Sequence, residues 1–397
     1  MQLIIIGAGI SGLYAAYKLK NLYSSITILE KNSIGGRVGS QLFQGTEVVT
    51  GAGIGRKDKD KFLINLLNEL EIPYKEFLSK HYYANTLSLP CTVKETFLEL
   101  RRQYKPPCKK TFKAYAESIL GAEKYKNFVK CSGYTDYEKE DAYDVLYNYG
   151  FEDNYETWTG ISIPWSKLLL ALVNKINIKN IHLRSHVVKI EKSSTNFDML
   201  GVYTKKHYYQ CDKVIIATEI DSIKKLLPLN IYKGIKGQPF LRLYGKFSKS
   251  SIPIIKQYVK GYTIVPPPLQ KIIPMDPDNG IYMIAYNDNT SSKCLKKWLK
   301  NTVDNRAKLC TIIKKALGIP AETKICLSSI IDFYWDTGTH FYTPLNSNFE
   351  KRKDFIANAQ HPTNDIIVVG EAVALHQGWV EGALESVEAV MPTTQCF

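Results

Sequence analysis

Three glycines, Gly7, Gly9 and Gly12, are spaced as GxGxxG directly after the apolar run 2–6 and at the start of a stretch with helical periodicity. Strand, glycine turn and helix in that order suit a dinucleotide pyrophosphate. Gly7 permits the tight turn, Gly9 lets the backbone approach the phosphates, and Gly12 lets the helix pack closely on the strand. Unpaired N–H groups at the helix start, where Ser11 also sits, would face the negative charge. Glu30, followed by Lys31, closes the next apolar run at 26–30, where a carboxylate accepts ribose hydroxyls. A merely structural glycine turn is the plainer alternative. Strand, helix and acidic residue together favour a bound nucleotide.

Further glycine-rich stretches follow. "LEKNSIGGRVGS" (29–40) places Gly35, Gly36 and Arg37 shortly after the acidic residue, and "TGAGIG" (50–55) contains Gly51, Ala52 and Gly53. Near the other end, "VVGEAVALHQGWVEGALES" carries Gly370, Glu371, Trp379 and Val380. Together these stretches resemble the flavin-containing amine oxidase superfamily, which includes monoamine and polyamine oxidases, protoporphyrinogen oxidase and related desaturases. The resemblance covers both termini and the middle of the chain and is weaker over about 75–165. It implies FAD as cofactor. Gly36 and Arg37 would lie by the pyrophosphate, Gly51, Ala52 and Gly53 by the flavin ring, and Val187 by the adenine. Glu371 would bond a ribityl or ribose hydroxyl. The helix starting near Val380 would aim its N-terminus at the flavin N1–O2 edge, stabilising the anionic reduced ring.

The resemblance also has gaps. "FYWDTGTHFYTPLN" (333–346) matches a family stretch in which some members bind flavin covalently through cysteine; Thr339 stands there, implying a non-covalent cofactor. His340 and Trp379 match the two aromatic residues that sandwich an amine, so His340 supplies only half of an orthodox cage. The lysine expected near flavin N5 is replaced by Gln238 or Pro239, with Lys233 and Lys236 out of register, while Arg242 projects from the same strand. Val49 stands where an acidic residue is common, and Val387 in "SVEAV" is a smaller departure. Trp379, His340 and Arg242 are thus the candidate catalytic residues. Their plainer alternatives are ordinary packing, a core or surface histidine, and a salt bridge or solvent-facing arginine.

These residues need an α/β frame. The runs 2–6 and 26–30 read as buried strands flanking a helix, and 181–194, 213–217, 239–247, 280–288 and 365–372 as further strands. Helices are expected over 60–71, capped by Asp60, over 293–318 and over 380–390, and the segment after 71 reads as mainly helical. Nucleotide-type signals at both ends predict a discontinuous Rossmann-like FAD-binding domain (1–58, 180–232 and 360–397). A mixed sheet-plus-helices substrate domain (59–179 and 233–359) is inserted into it.

No apolar run approaches the roughly 18–20 residues of a bilayer span, and the start, which lacks a basic leader, is expected not to be a signal peptide. An intracellular, soluble, most simply cytoplasmic protein is expected. The eight scattered cysteines make no CxxC pair or metal-type spacing, so reduced thiols and no metal are expected. Lys and Arg exceed Asp and Glu by 52 − 38 = 14, but they are dispersed, which disfavours nucleic acid or an anionic surface as partner. The leading expectation is oxidation of a small-molecule amine by hydride transfer to flavin N5, with molecular oxygen as acceptor. The alternatives are a desaturase or protoporphyrinogen oxidase-like enzyme, whose carboxylated substrate would suit the basic charge, and a flavin-binding protein without turnover.

Overall fold

The computed structural model describes residues 1–87, 92–150, 157–193, 196, 198–346 and 348–391. Its first sheet is parallel, with strands ordered Ile366–Val368, Lys213–Ile216, Gln2–Ile6, Ser25–Leu29 and Ile181–His182. Both faces of such a sheet are covered, which explains the near-continuous apolar character of QLIII and SITIL. The helix Ile10–Leu19 follows the first strand and buries Ile10, Leu13, Tyr14, Ala15, Ala16 and Leu19. Leu3, Ile5, Leu13 and Ile28 share one core with Leu384 and Val387 of the closing helix, Val380–Glu388. The two ends of the chain therefore pack as one layer, and Tyr14 hydrogen-bonds Glu388 across 374 positions.

The second large sheet orders Leu327–Tyr342, Ile235–Phe247, Ile281–Asp288, Lys271–Asp276, Tyr262–Ile264 and His81–Tyr83. All its pairings are antiparallel except the last. Arg242 lies opposite Tyr286 on one neighbour and Phe333 on the other. A cluster of helices between Val93 and Tyr147 packs around Phe97, Phe112, Phe128 and Tyr137. No helix among the described residues is long and apolar enough to cross a membrane.

Several local expectations need correction. The helix expected over 293–318 is broken: Asn289–Leu295 ends in a 3-10 turn, and a new helix runs Val303–Leu317. Thr302 starts the second helix by accepting the Asn305 N–H at 3.3 Å, an N-cap four residues beyond the end of the 3-10 turn at Trp298. The mainly helical segment after 71 also contributes strands Lys75–Ser79, His81–Tyr83 and Trp158–Ser162. The strand read over 181–194 is two strands in different sheets, Ile181–His182 and Val187–Lys192. Cys108, Cys211, Cys294, Cys310 and Cys326 are free thiols. Cys131 is disulfide-bonded, which overturns the expectation of reduced thiols throughout. Cys91, Cys396 and the expected domain end at 392–397 lie outside the described residues.

Candidate active site

The glycine turn is tightly built on one side and open on the other. A Cβ at Gly12 would run into the Gly7 carbonyl, whereas a Cβ at Gly9 would meet nothing within 4 Å. Gly9 is also the N-cap of the first helix and offers no side-chain acceptor to the helix's N–H groups. These N–H groups thus face an open cradle of the kind an anion fills. Gly36 closes one side, 3.5 Å from the Gly9 Cα by its would-be Cβ, and Ser11 lies against Gly370 from the far end of the chain. Glu30 accepts the Ala8 N–H at 2.7 Å and the Asn32 N–H at 2.6 Å, one on each oxygen. Two acceptor positions remain on that carboxylate. Ser185 donates its N–H to the Glu30 carbonyl, which brings Val187, two residues on, to this end of the site. Lys31 is exposed.

Arg37 is positioned by the late part of the chain. One of its guanidinium nitrogens donates to the Gly338 carbonyl at 2.8 Å and to Glu371 at 3.0 Å. Glu371 also accepts the His340 N–H at 2.9 Å and the Gly378 N–H at 2.7 Å, and its second oxygen meets the His340 Nδ1. Burial alone would raise this carboxyl; the His340 ring, Arg37 and the donated N–H groups outweigh burial and hold it well below the usual carboxylate range. Four donors occupy the roughly four lone-pair sites of one carboxylate. The expected bond from Glu371 to a ribityl or ribose hydroxyl is therefore corrected: Glu371 has no free acceptor, and it orients Arg37 instead.

His340 is corrected as well. Its side chain is 0% exposed, and its Nε2 accepts the Ile220 N–H at 3.1 Å. That pattern assigns the ring proton to Nδ1, facing Glu371. The ring is held on both sides and does not line the large cavity beside Trp379. It is a positioning residue rather than one wall of an aromatic cage.

Trp379 does line that cavity. Its indole N–H donates to Asp60 at 2.7 Å, and its ring meets Trp165 edge-on at 6.2 Å. Asp60 is 0% exposed and also accepts the Arg56 N–H and two guanidinium nitrogens of Arg56. The sequence places Asp60 as the cap of the helix Lys61–Glu69, but its side chain makes no capping bond. Glu381 caps that helix from the opposite end of the chain, accepting the Phe62 and Leu63 N–H groups at 2.8 and 2.9 Å. A carboxylate at a helix N-terminus is favoured by unpaired donors and by the macrodipole.

Trp379, Arg56, Phe62 and Glu381 border one cavity of about 1540 Å³. Arg37, Gly51, Ala52, Gly53, Glu371, Trp379 and Val380 line one part of it; Asp136, Phe240, Arg242, Tyr262, Met283 and Tyr286 line another. Arg242 is 8% exposed, with its guanidinium 4.3 Å from the Tyr286 ring centroid and 3.7 Å from the Met283 sulfur. A Cβ on Gly53 would sit 2.9 Å from that guanidinium, so Arg242 reaches the turn predicted to pass the flavin ring. Behind this wall, Lys271 is fully buried with its Nζ 2.8 Å from the Tyr134 ring centroid and 4.7 Å from that of Tyr286. Burial drives its pKa well below that of an ordinary lysine, against the pull of Asp288 and Asp136. Burial, reinforced by Asp288, pushes Asp136 up to about 7, although Tyr149 donates to it at 2.7 Å.

The structure thus brings Gly7, Gly9, Ser11, Gly12, Glu30, Gly36, Arg37, Gly370 and Glu371 to one end of the site, and Trp379, Val380, Gly51, Ala52, Gly53 and Arg242 to one cavity. Sequence reasoning missed Asp136, Tyr286 and Lys271, and missed Asp60 as the partner of Trp379. Asp60 had a visible signal, an acidic residue opening an amphipathic helix. The others are lone residues on strands or loops, without a motif.

An NAD(P)-binding Rossmann-like domain matches residues 5–70. A curated relative, an uncharacterised protein of Acanthamoeba polyphaga mimivirus, is 22% identical, covering 98% of this chain and 93% of its own. Among solved structures, a double mutant of putrescine oxidase superposes with a TM-score of 0.75 at 15% identity, covering 98% of each chain. Cyclohexylamine oxidase from Brevibacterium oxydans gives a TM-score of 0.75 at 15% identity over 98% of this chain and 97% of the other. Over almost its whole length, the chain has the fold of putrescine oxidase and cyclohexylamine oxidase, the flavin amine oxidase fold that its sequence motifs resemble.

Proposed function

We propose that this protein is an FAD-dependent oxidoreductase that oxidises a small-molecule amine, with molecular oxygen as the electron acceptor. The observation that carries the reading is the cradle itself. The open side of the uncapped first helix at Gly9 adjoins Ile10, and Ile10, an Arg37 fixed by Glu371, and the first turn of the closing helix all line one cavity. The residues fit the cofactor: N–H groups and Arg37 for the pyrophosphate, two free acceptor positions on Glu30 for a ribose, and the backbone near Val187 for the adenine. Thr339 in place of a cysteine fits a non-covalently held flavin. When bound, FAD supplies an acceptor for the hydride equivalent leaving the amine's α-carbon.

The chain's own residues position and shield. The helix Val380–Glu388 has no side-chain cap, so its N–H groups favour negative charge developing at its N-terminus. Trp379 is fixed by Asp60 and Trp165 and offers a wall against which substrate lies. Phe240, Tyr262 and Tyr286 supply further apolar surface that excludes water. Under this proposal the chain divides into a discontinuous cofactor domain, 1–58, 180–232 and 360–397, and a substrate domain, 59–179 and 233–359.

The test is anaerobic mixing of the FAD-loaded protein with a panel of amines. Bleaching of the visible flavin band by at least one amine, with peroxide formed on admitting oxygen, is the expected outcome. A flavin that no amine bleaches but that a cyclic or polyene donor reduces would replace this reading with the desaturase-type one.

A further inference from the structure

The large cavity holds a charge that nothing in it neutralises. Arg242 is more than nine-tenths buried, yet among the described residues no carboxylate forms an ion pair with it. Its neighbours are the Met283 thioether, the Tyr286 ring face and the Tyr244 hydroxyl. Tyr244 is itself committed, donating to the Val49 carbonyl at 2.8 Å. A thioether and a ring face compensate a buried guanidinium only in part, because desolvation of an ion costs several kcal/mol, on the order of what a full ion pair returns.

The acidic groups around the same cavity are already engaged. Glu371 accepts from Arg37, His340 and Gly378. Glu381 accepts two backbone N–H groups, and Glu385 pairs with His376 at 3.1 Å. Asp136 is bonded by Tyr149, and its raised pKa weakens its anionic character near neutrality. Asp58 is exposed at the rim. The positive end of Arg242 therefore faces a space that an incoming ligand must fill, beside the glycine turn at Gly53. A planar guanidinium forks two N–H donors, the geometry a carboxylate accepts. The rings of Tyr286 and Phe240, with centroids 5.4 Å apart, add a flat apolar wall next to it.

We propose that Arg242 is the anion-recognition point of this cavity, and that the amine oxidised here carries a carboxylate. The substrate class is then an amino acid in the chemical sense, not a simple alkylamine or a diamine. This rests on the reading of the cavity as a flavin and amine site. A carboxylate on Arg242 would be held beside the Gly53 turn. A substrate lacking it would leave the guanidinium buried and unpaired, which gives the site selectivity against uncharged analogues.

The experiment uses the full-length protein, with FAD content read from the visible spectrum of flavin released on denaturation. Calorimetric titration with benzoate, and with benzamide as its neutral isostere, reads the anion preference independently of any turnover. Benzoate is expected to bind more tightly than benzamide by about thirtyfold or more. Arg242→Met, compared with the wild type at equal FAD loading, should abolish that preference, and Arg242→Lys should retain part of it. Equal binding of benzoate and benzamide by the wild-type protein, or an undiminished benzoate preference in Arg242→Met, overturns the proposal. A protein that takes up no FAD but shows the Arg242-dependent preference would retain the anion point while the flavin reading fails. FAD uptake without any anion preference would do the reverse.

Discussion

Trp379 donates its indole N–H to the carboxylate of Asp60 at 2.7 Å, joining residues 319 positions apart. Asp60 simultaneously holds Arg56. Replacing Asp60 by Ala leaves the indole and the guanidinium without their acceptor. The expected cost is about 3 kcal/mol, read as a lowered urea midpoint, together with a shift of tryptophan emission. Asp60→Asn, which keeps an acceptor for the indole, should lose less.

Glu381 is the cap of a helix to which it does not belong. Its two oxygens serve the Phe62 and Leu63 N–H groups. Glu381→Ala should cost about 1–2 kcal/mol by the ordinary loss of a cap. Glu381→Gln, with one acceptor oxygen, should fall between, as denaturant titration of the three proteins would show.

The Arg37–Glu371 pair predicts a cofactor phenotype rather than a folding one. Glu371→Gln removes the charge that fixes Arg37 and leaves it a weaker acceptor. FAD affinity should fall by about tenfold or more, the effect of losing a charged hydrogen bond of about 1.5 kcal/mol, measured by fluorescence titration of the apoprotein. An unchanged affinity would mean that Arg37 does not face the cofactor.

His81 gives a pH dependence. Burial, with a smaller contribution from Lys271, lowers its imidazole to about 4. Between that value and the ordinary imidazole value, the unfolded chain binds the proton and the folded chain does not, so stability rises with pH across this window. Acidification from about 6.5 toward 4 should lower the melting temperature more steeply for the wild type than for His81→Phe, which keeps a ring beside Tyr262.

The glycine turn, the first helix and the acidic residue were legible because their chemistry is local: each depends on neighbours within about thirty positions, as in any such unit. The parallel strands announced themselves as short apolar runs. The strand Leu327–Tyr342 did not, since its middle is half-buried on both faces and shows little alternation. The break before Val303 was hidden because good helix formers flank it, while the decisive Thr302 cap is a single side chain. His340 shows the limit most clearly. Its place in the motif suggested a ring facing substrate, but its orientation is set by Ile220 and Glu371, and no sequence pattern announces those distant partners.

Under the proposed function the two ends of the chain build one FAD site. The visible absorption spectrum of the purified protein, supplied with FAD if it emerges colourless, tests it most directly. A flavin spectrum at about one FAD per chain, as a single dinucleotide cradle requires, is expected, with the flavin released intact by denaturation. A protein that neither carries nor takes up FAD would contradict it and leave the glycine turn to another dinucleotide.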